Sequence, residues 1–289
     1  MRVLITGANG GLGRELVRQA PQKIKVLALG RHQLDICDVD ATGLLFQQFE
    51  PSHIINAAAY TDVDQAQMEP AVAWEVNHTA VASLAKLADQ HSARFVHISS
   101  DFVFDGAASV PYLPGARTNP ISEYGKSKEA GEHAALAGCA NSIVIRTASL
   151  YAADGHNFVK SVLQHLAAYD LINVVNDQVS TPTLTRSLAQ CIWKFVPRSE
   201  IGLWHYTDAG SVNKSGFAQA IADEAIALGL LSTSKFIHPI AVDDSFSLAK
   251  RPRYSVLNKD ATWMITGRPP EWRDQLGCYL QELKNNHAK

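Results

Sequence analysis

The sequence predicts an α/β protein, a doubly wound parallel sheet followed by a smaller, partly interleaved C-terminal α/β lobe, and three observations lead to it. Short apolar runs alternate with longer helical patterns through the first half of the chain. Those runs are continuous rather than alternating, which is the pattern of strands covered on both faces of a parallel sheet. A glycine-rich turn follows the first run at once, where a strand would hand over to a helix.

The elements follow in order. Val3-Leu4-Ile5 reads as the first buried strand, residues 7–13 as the glycine-rich turn, and Arg14 to Ala20 as an amphipathic helix. Ile24 to Leu29 is the second strand, closed by Gly30, and a helical pattern around Leu44 to Phe49 leads to a third, His53 to Asn56. Pro70 starts a long Ala/Val/Leu pattern that predicts one helix to about Gln90, since proline is tolerated in a first helical turn. Arg94 to Ile98 and Ser142 to Arg146 are the fourth and fifth strands. Beyond them, helical patterns at Phe158–Ala168, Leu184–Val196, Phe217–Leu231 and Trp272–Lys284 are separated by Pro- and Gly-containing segments without repeats or linkers. The boundary falls between 146 and 175 and is drawn after residue 168: 1–168 as the first domain, 169–289 as mainly the second, with some segments returning to the first.

At 289 residues, 46% hydrophobic and 19% charged, the chain is neither disordered nor fibrous. Lys and Arg number 26 against 28 Asp and Glu, a net charge of −2, so no basic field exists to hold a nucleic-acid backbone. The cysteines Cys37, Cys139, Cys191 and Cys278 lie far apart, with no C-x-x-C pair for zinc or dithiol redox chemistry. No apolar run approaches the ~18 residues of a membrane span. Met1-Arg2 running directly into Val3 leaves no room for a secretory leader, and the expectation is a soluble, cytoplasmic protein. Eleven histidines, among them His97, His156 and His205, show no metal-ligand spacing, so no protein-built metal site is expected. Trp193, Phe195 and Trp204 are expected in the core.

The turn reads Thr6-Gly7-Ala8-Asn9-Gly10-Gly11-Leu12-Gly13, a G-x-x-G-x-x-G spacing one residue longer at its start than the usual dinucleotide fingerprint. Glycines permit positive φ and remove the Cβ that would keep a pyrophosphate from the backbone, and the following helix offers free N–H groups. Alone, such a loop is also a common ligand-free turn; after the first strand of a βαβ pattern it predicts a Rossmann-type dinucleotide site. The second strand ends Leu29-Gly30-Arg31, with no acid at its tip to bind a ribose hydroxyl. Arg31 therefore points to the 2′-phosphate of NADP(H), with NAD(H) the alternative.

Tyr124 and Lys128 stand four apart, on one face of a helix. Carbonyl reduction needs a proton donor at the substrate oxygen, and a tyrosine can serve if a neighbouring ammonium lowers its pKa. Ser99-Ser100-Asp101 follows the fourth strand, at the sheet edge where such folds bind ligands, and a serine hydroxyl there can polarise a carbonyl. Singly, a Y-x-x-x-K is more often a solvated helix face and a strand-end serine more often a turn cap. Here cradle, serine and Y-x-x-x-K follow in order within one α/β unit.

These residues resemble the extended short-chain dehydrogenase/reductases, and more narrowly the dTDP-4-dehydrorhamnose reductase family. The matching stretches are Asn56 to Asp64, Val76-Asn77, Ser99 to Gly106, Tyr124 to Lys128 with Gly131-Glu132, and Arg146-Thr147. Asn157-Phe158, Asn176 to Gln178, Pro182-Thr183 and Arg251-Pro252 continue them, so the resemblance covers nearly the whole chain. It implies Tyr124 as general acid, Lys128 as its partner, and Ser100 where the family usually has Thr. It implies Gly10, Gly11 and Leu12 at the pyrophosphate, with Gly7 and Gly13 in the same loop. Asp35 and Ile36 would meet the adenine, and Ala57, Ala58, Ala59, Tyr60 and Thr61 the cofactor's central region. Val63, Asp101 and Ser149, with Ser100, would lie at the sugar.

The implied reaction is NADPH reduction of the C4 ketone of a nucleotide-linked 6-deoxyhexose, first of all dTDP-4-dehydro-L-rhamnose. A Mg²⁺ at a contact between two copies, in a homodimer, comes from the resemblance alone. The departures cluster on the substrate side: the family's Arg-Thr-Ser-Trp is Arg146-Thr147-Ala148-Ser149, Lys214 stands where Trp is common, Asp-Gln-Tyr-Gly is Asp177 to Ser180, and Arg-Pro-x-Asn is Arg251 to Tyr254. A reductase for another deoxysugar, an epimerase with bound NAD, and a non-catalytic NADP-binding module like the methionine adenosyltransferase β subunit are the rivals. Retention of Tyr124, Lys128 and Ser100 favours catalysis.

Overall fold

The computed structural model describes residues 1–232, 235–241 and 247–287. Val3, Leu4 and Ile5 are fully buried in β1 (Arg2–Thr6), which passes through the glycine loop into α1 (Gly11–Arg18) and returns as β2 (Lys25–Leu29). The next helix, α2 (Val39–Phe49), starts a turn before the expected pattern, because Asp38 accepts from the Ala41 N–H and fixes the N-terminus there. After β3 (His53–Asn56) come α3 (Val63–Met68), capped by Asp62, and α4 (Pro70–Trp74). The single helix expected from Pro70 to Gln90 is corrected here: α4 passes into a π-helical turn, Glu75–Thr79, before α5 (Ala80–Gln90). Then follow β4 (Arg94–Ser100), α6 (Glu123–Gly138) and β5 (Ser142–Thr147).

The second half begins with β6 (Leu150–Tyr151), α7 (Phe158–Ala168), β7 (Leu171–Val175), β8 (Val179–Ser180) and β9 (Thr183–Leu184). It continues through α8 (Thr185–Phe195), β10 (Gly202–His205), β11 (Val212–Asn213) and α9 (Lys214–Ala227). It closes with β12 (Phe236–Ile240), α10 (Asp260–Thr266) and α11 (Trp272–His287). The four expected helices are present with ends shifted by a few residues. The short strands and α10 carry too little periodicity to be seen in the sequence.

The main sheet has six parallel strands in the order β10-β5-β4-β3-β1-β2. On one face α1 and α8 pack Leu16, Leu188, Ile192 and Phe195 against Val3 and Ile5. Trp193 joins that core and Trp204 packs at its margin. On the other face, α2, α5 and α6 supply Phe46, Leu84, Ala88 and Ala135. The doubly wound fold is thus present, with β10 and α8 coming from the second half of the chain. A second core joins Val159 and Leu166 of α7 to Phe217 and Ile221 of α9 and Leu280 of α11. The helix just before the sequence boundary at 168 therefore packs with the later elements.

β1 lies between β2 and β3, so the winding direction reverses at the β1/β3 seam. In open α/β sheets that seam is where ligands bind, at the carboxyl ends of the strands. Among the described residues, no helix is long and apolar enough to cross a membrane.

Candidate active site

The glycine loop is shaped by close backbone approach. Gly7 has φ +67°, and a Cβ there would lie 2.5 Å from the Ala58 nitrogen; a Cβ at Gly13 would lie 2.2 Å from the Gly7 carbonyl oxygen. These two glycines let loop, helix and neighbouring strand close on one another, but they do not line the cleft. Gly10, Gly11 and Leu12 do, facing residues 57–59 across a cavity of about 520 Å³. Gly10 caps α1 with no side-chain hydrogen bond, leaving the first-turn N–H groups for an anion. Gly11 is also constrained from the second half, since its Cβ would meet the Ala152 methyl at 2.7 Å.

Thr61 and Val63 line the same cavity, whereas Tyr60 turns into a small cluster with Ala66, Ala73 and Tyr124. Arg31 is 79% exposed at the end of β2, with Asp35 at 3.9 Å. Ile36, expected at the adenine, is 4% exposed and packs in the core with Leu4 and Phe46.

At the other end of the cavity stand Ser100, Asp101, Tyr124 and Lys128. Ser122 caps α6 by accepting from the Gly125 N–H at 3.2 Å, and so sets the register that turns Tyr124 and Lys128 inward. Both are buried, as is Ser100 at the end of β4. The Lys128 Nζ donates to the Ile98 carbonyl at 2.6 Å. Burial draws Lys128 down to about 8, opposed by Glu132. Burial pushes Tyr124 up to about 12, the Ser100 hydroxyl pulling the other way and Asp101 adding to the rise. The expectation that Lys128 lowers the phenol is thereby corrected: the ammonium is engaged by a backbone carbonyl, and desolvation governs the tyrosine. Asp101 is pushed up to about 6 by burial, although the Ser255 and Ser100 hydroxyls both donate to it.

Sequence reasoning assigned no role to Asn77. Its side chain accepts from the Tyr60 N–H at 2.9 Å and donates to the Tyr60 carbonyl and the Ser127 hydroxyl, both at 3.0 Å. It ties the loop after β3 to α6 from within the π turn, and a polar residue inside a helix buried face is the one signal that could have marked it.

A second cavity of about 190 Å³ opens from the first, sharing Asp101, Phe102 and residues 149–151 with it. Ser149, at φ +46°, bonds Ser180 hydroxyl to hydroxyl at 2.7 Å on its wall. Phe158 and Phe217, stacked at 5.6 Å, form an apolar side, and Lys214 and Arg251 bring positive charge. Among the described residues no group of three or more His, Cys, Asp or Glu side chains is gathered to hold a metal ion.

A family model described as the RmlD substrate binding domain matches residues 1–285. The chain belongs to that family. As a member of it the protein is an oxidoreductase, and the resemblance to the dTDP-4-dehydrorhamnose reductases holds over its length. A protein of that name from Aggregatibacter actinomycetemcomitans is 37% identical over 284 residues, 95% of this chain and 97% of its own. A dTDP-4-keto-6-deoxy-D-glucose reductase from Streptomyces niveus is 35% identical, covering 93% of this chain and 92% of its own. The crystal structure of a Bacillus anthracis dTDP-4-dehydrorhamnose reductase in complex with NADP superposes with a TM-score of 0.91 at 30% identity, covering 97% of this chain and 99% of that one. Ser149, Val179, Ser180 and Lys214 all line the second cavity, while Gly10, Gly11, Leu12, Tyr124 and Lys128 line the first.

Proposed function

We propose that this protein reduces the C4 ketone of a nucleotide-linked 6-deoxyhexose with NADPH, dTDP-4-dehydro-L-rhamnose being the first candidate. One observation supports the reading above all: Ser100, Tyr124 and Lys128 converge where a dinucleotide-sized cleft opens into a second, mixed apolar and cationic cavity. The uncapped start of α1 and the glycine backbone fit a pyrophosphate, and exposed Arg31 fits a 2′-phosphate. When bound, NADPH supplies the hydride. Tyr124, protonated at neutral pH, donates its phenolic proton to the carbonyl oxygen as that carbon is reduced, and Ser100 stabilises the developing charge by hydrogen bonding. Lys128, held by the Ile98 carbonyl, keeps a cation beside the reacting end.

The test is NADPH consumption with enzymatically generated dTDP-4-dehydro-L-rhamnose, beside dTDP-4-keto-6-deoxy-D-glucose. Turnover of the first supports the full reading. Turnover of the second alone assigns another deoxysugar, in keeping with the altered cavity wall. Turnover of neither, with NADPH still bound, rejects reduction of these sugars.

A further inference from the structure

We infer that Lys214 and Arg251 hold the phosphate groups of the nucleotide-linked substrate, and that Lys214 is the residue through which this chain reads that charge. The inference rests on the reductase reading and deepens it.

The second cavity is lined by two chemically different sets of side chains. At the end it shares with the first, Asp101 stands beside Tyr124 with its oxygens taken by Ser100 and Ser255, a setting for sugar hydroxyls. Elsewhere on the lining, Arg251 forks onto Asp64, with bonds of 3.1 and 2.7 Å. Lys214 is the first residue of α9, its ammonium 5.3 Å from the centre of the Phe158 ring. Asp64 and Arg251 are the charges felt most by Lys214, and both cations draw on that one carboxylate. Among the described residues Lys214 has no ion-pair partner of its own. Among the described residues this part of the lining therefore carries two cations against one carboxylate, the ammonium partly buried and set over an aromatic face. A half-buried ammonium without a counter-ion is costly, and a ligand oxyanion removes that cost through charge-assisted hydrogen bonds.

The size and chemistry select the anion. A sugar whose C4 carbon meets Tyr124 carries its anomeric substituent on the opposite side of the ring, and the second cavity, with Lys214 and Arg251 on its lining, adjoins the first to receive it. In a nucleotide sugar that substituent is a diphosphate.

The test measures binding of thymidine diphosphate and of thymidine, by calorimetry, to the intact enzyme and to Lys214→Met and Lys214→Arg. Methionine keeps the unbranched stem over Phe158 and removes only the charge. The expected result is thymidine diphosphate affinity lowered ~10-fold or more in Lys214→Met, with a flatter salt dependence and thymidine affinity unchanged; Lys214→Arg stays within about threefold of the parent. Unchanged diphosphate affinity in Lys214→Met, equal weakening of both ligands, or no diphosphate binding by the parent enzyme overturns it. Keto-sugar turnover, read separately, distinguishes the two ideas. Lys214-dependent diphosphate binding without turnover removes the reductase reading alone, and turnover with charge-insensitive diphosphate binding removes this one alone.

Discussion

Tyr124 is shielded on the face of α6 by Phe102, whose ring meets it edge-on at 5.7 Å. Its phenol, pushed up to about 12, keeps its proton throughout the neutral range, the form a donor requires. Tyr124→Phe preserves that packing and removes only the proton; turnover is expected to fall ~100-fold or more with NADPH affinity nearly unchanged. Unaltered turnover would take the donor role away from it. Lys128 supplies the pH dependence. Drawn down to about 8, it is an ammonium below that pH and a neutral amine above it. Because the charged form is the one that supports the site, kcat/KM should decline as pH rises through about 8. A profile flat well above that value would show that the charge of Lys128 contributes nothing. The spacing of Tyr124 and Lys128 was legible in the sequence because an i,i+4 pair is set by helix geometry alone. Their pKa values were not, since they depend on what buries them.

Helices and strands were legible to different depths. Continuous apolar runs gave the parallel strands, because burial on both faces leaves its mark within five residues. The π turn at Glu75–Thr79 left none: an apolar pattern records which side is buried, not whether the hydrogen bonds run to i+4 or i+5. Its cause lies on two other elements, Tyr60 in the loop after β3 and Ser127 on α6, which share the Asn77 side chain. The same turn presses on α6, where a Cβ at Gly131 would lie 2.1 Å from the Asn77 carbonyl oxygen. Gly131→Ala therefore forces the π turn and α6 apart. A loss of ~1–3 kcal/mol is expected in chemical denaturation, with activity reduced in the folded fraction. An alanine variant as stable as the parent would mean that this contact is loose.

Across the molecule, a buried ion pair links the sheet to α6, the helix of Tyr124 and Lys128. Arg146 of β5 forks onto Glu132 of α6 at 2.7 and 2.6 Å, donates to the Pro114 carbonyl and lies over the Phe104 ring at 5.0 Å. The side chains are 5% and 1% exposed, so removing one charge strands the other in a medium that cannot solvate it. Glu132→Gln is expected to cost ~3 kcal/mol or more in unfolding free energy. Glu132→Gln combined with Arg146→Met, which leaves no unpaired charge, should recover much of it. A single variant that unfolds like the parent would show that the pair is hydrated. Of the second cavity, sequence comparison with the family pattern marked the changed residues singly, but their common wall became visible only with α9, β8 and the loop after β5 in place.

Short-range rules left their record in the chain. Glycine spacing, apolar runs, capping residues and the Tyr124-Lys128 interval act over a few residues, and from them the doubly wound sheet, the tight glycine loop after β1 and the shared helix face of Tyr124 and Lys128 were legible in the chain. Folding set the remainder. β10 takes the sheet edge beside β5 from 59 positions away, and Arg251 reaches Asp64 across 187 positions. Asn77 is bent into a π turn by partners on two other elements, and Lys128 and Tyr124 are moved in opposite directions by the same burial. These are sums over groups distant in sequence, and no local pattern encodes them, because desolvation and long-range pairing come into being only when the elements meet.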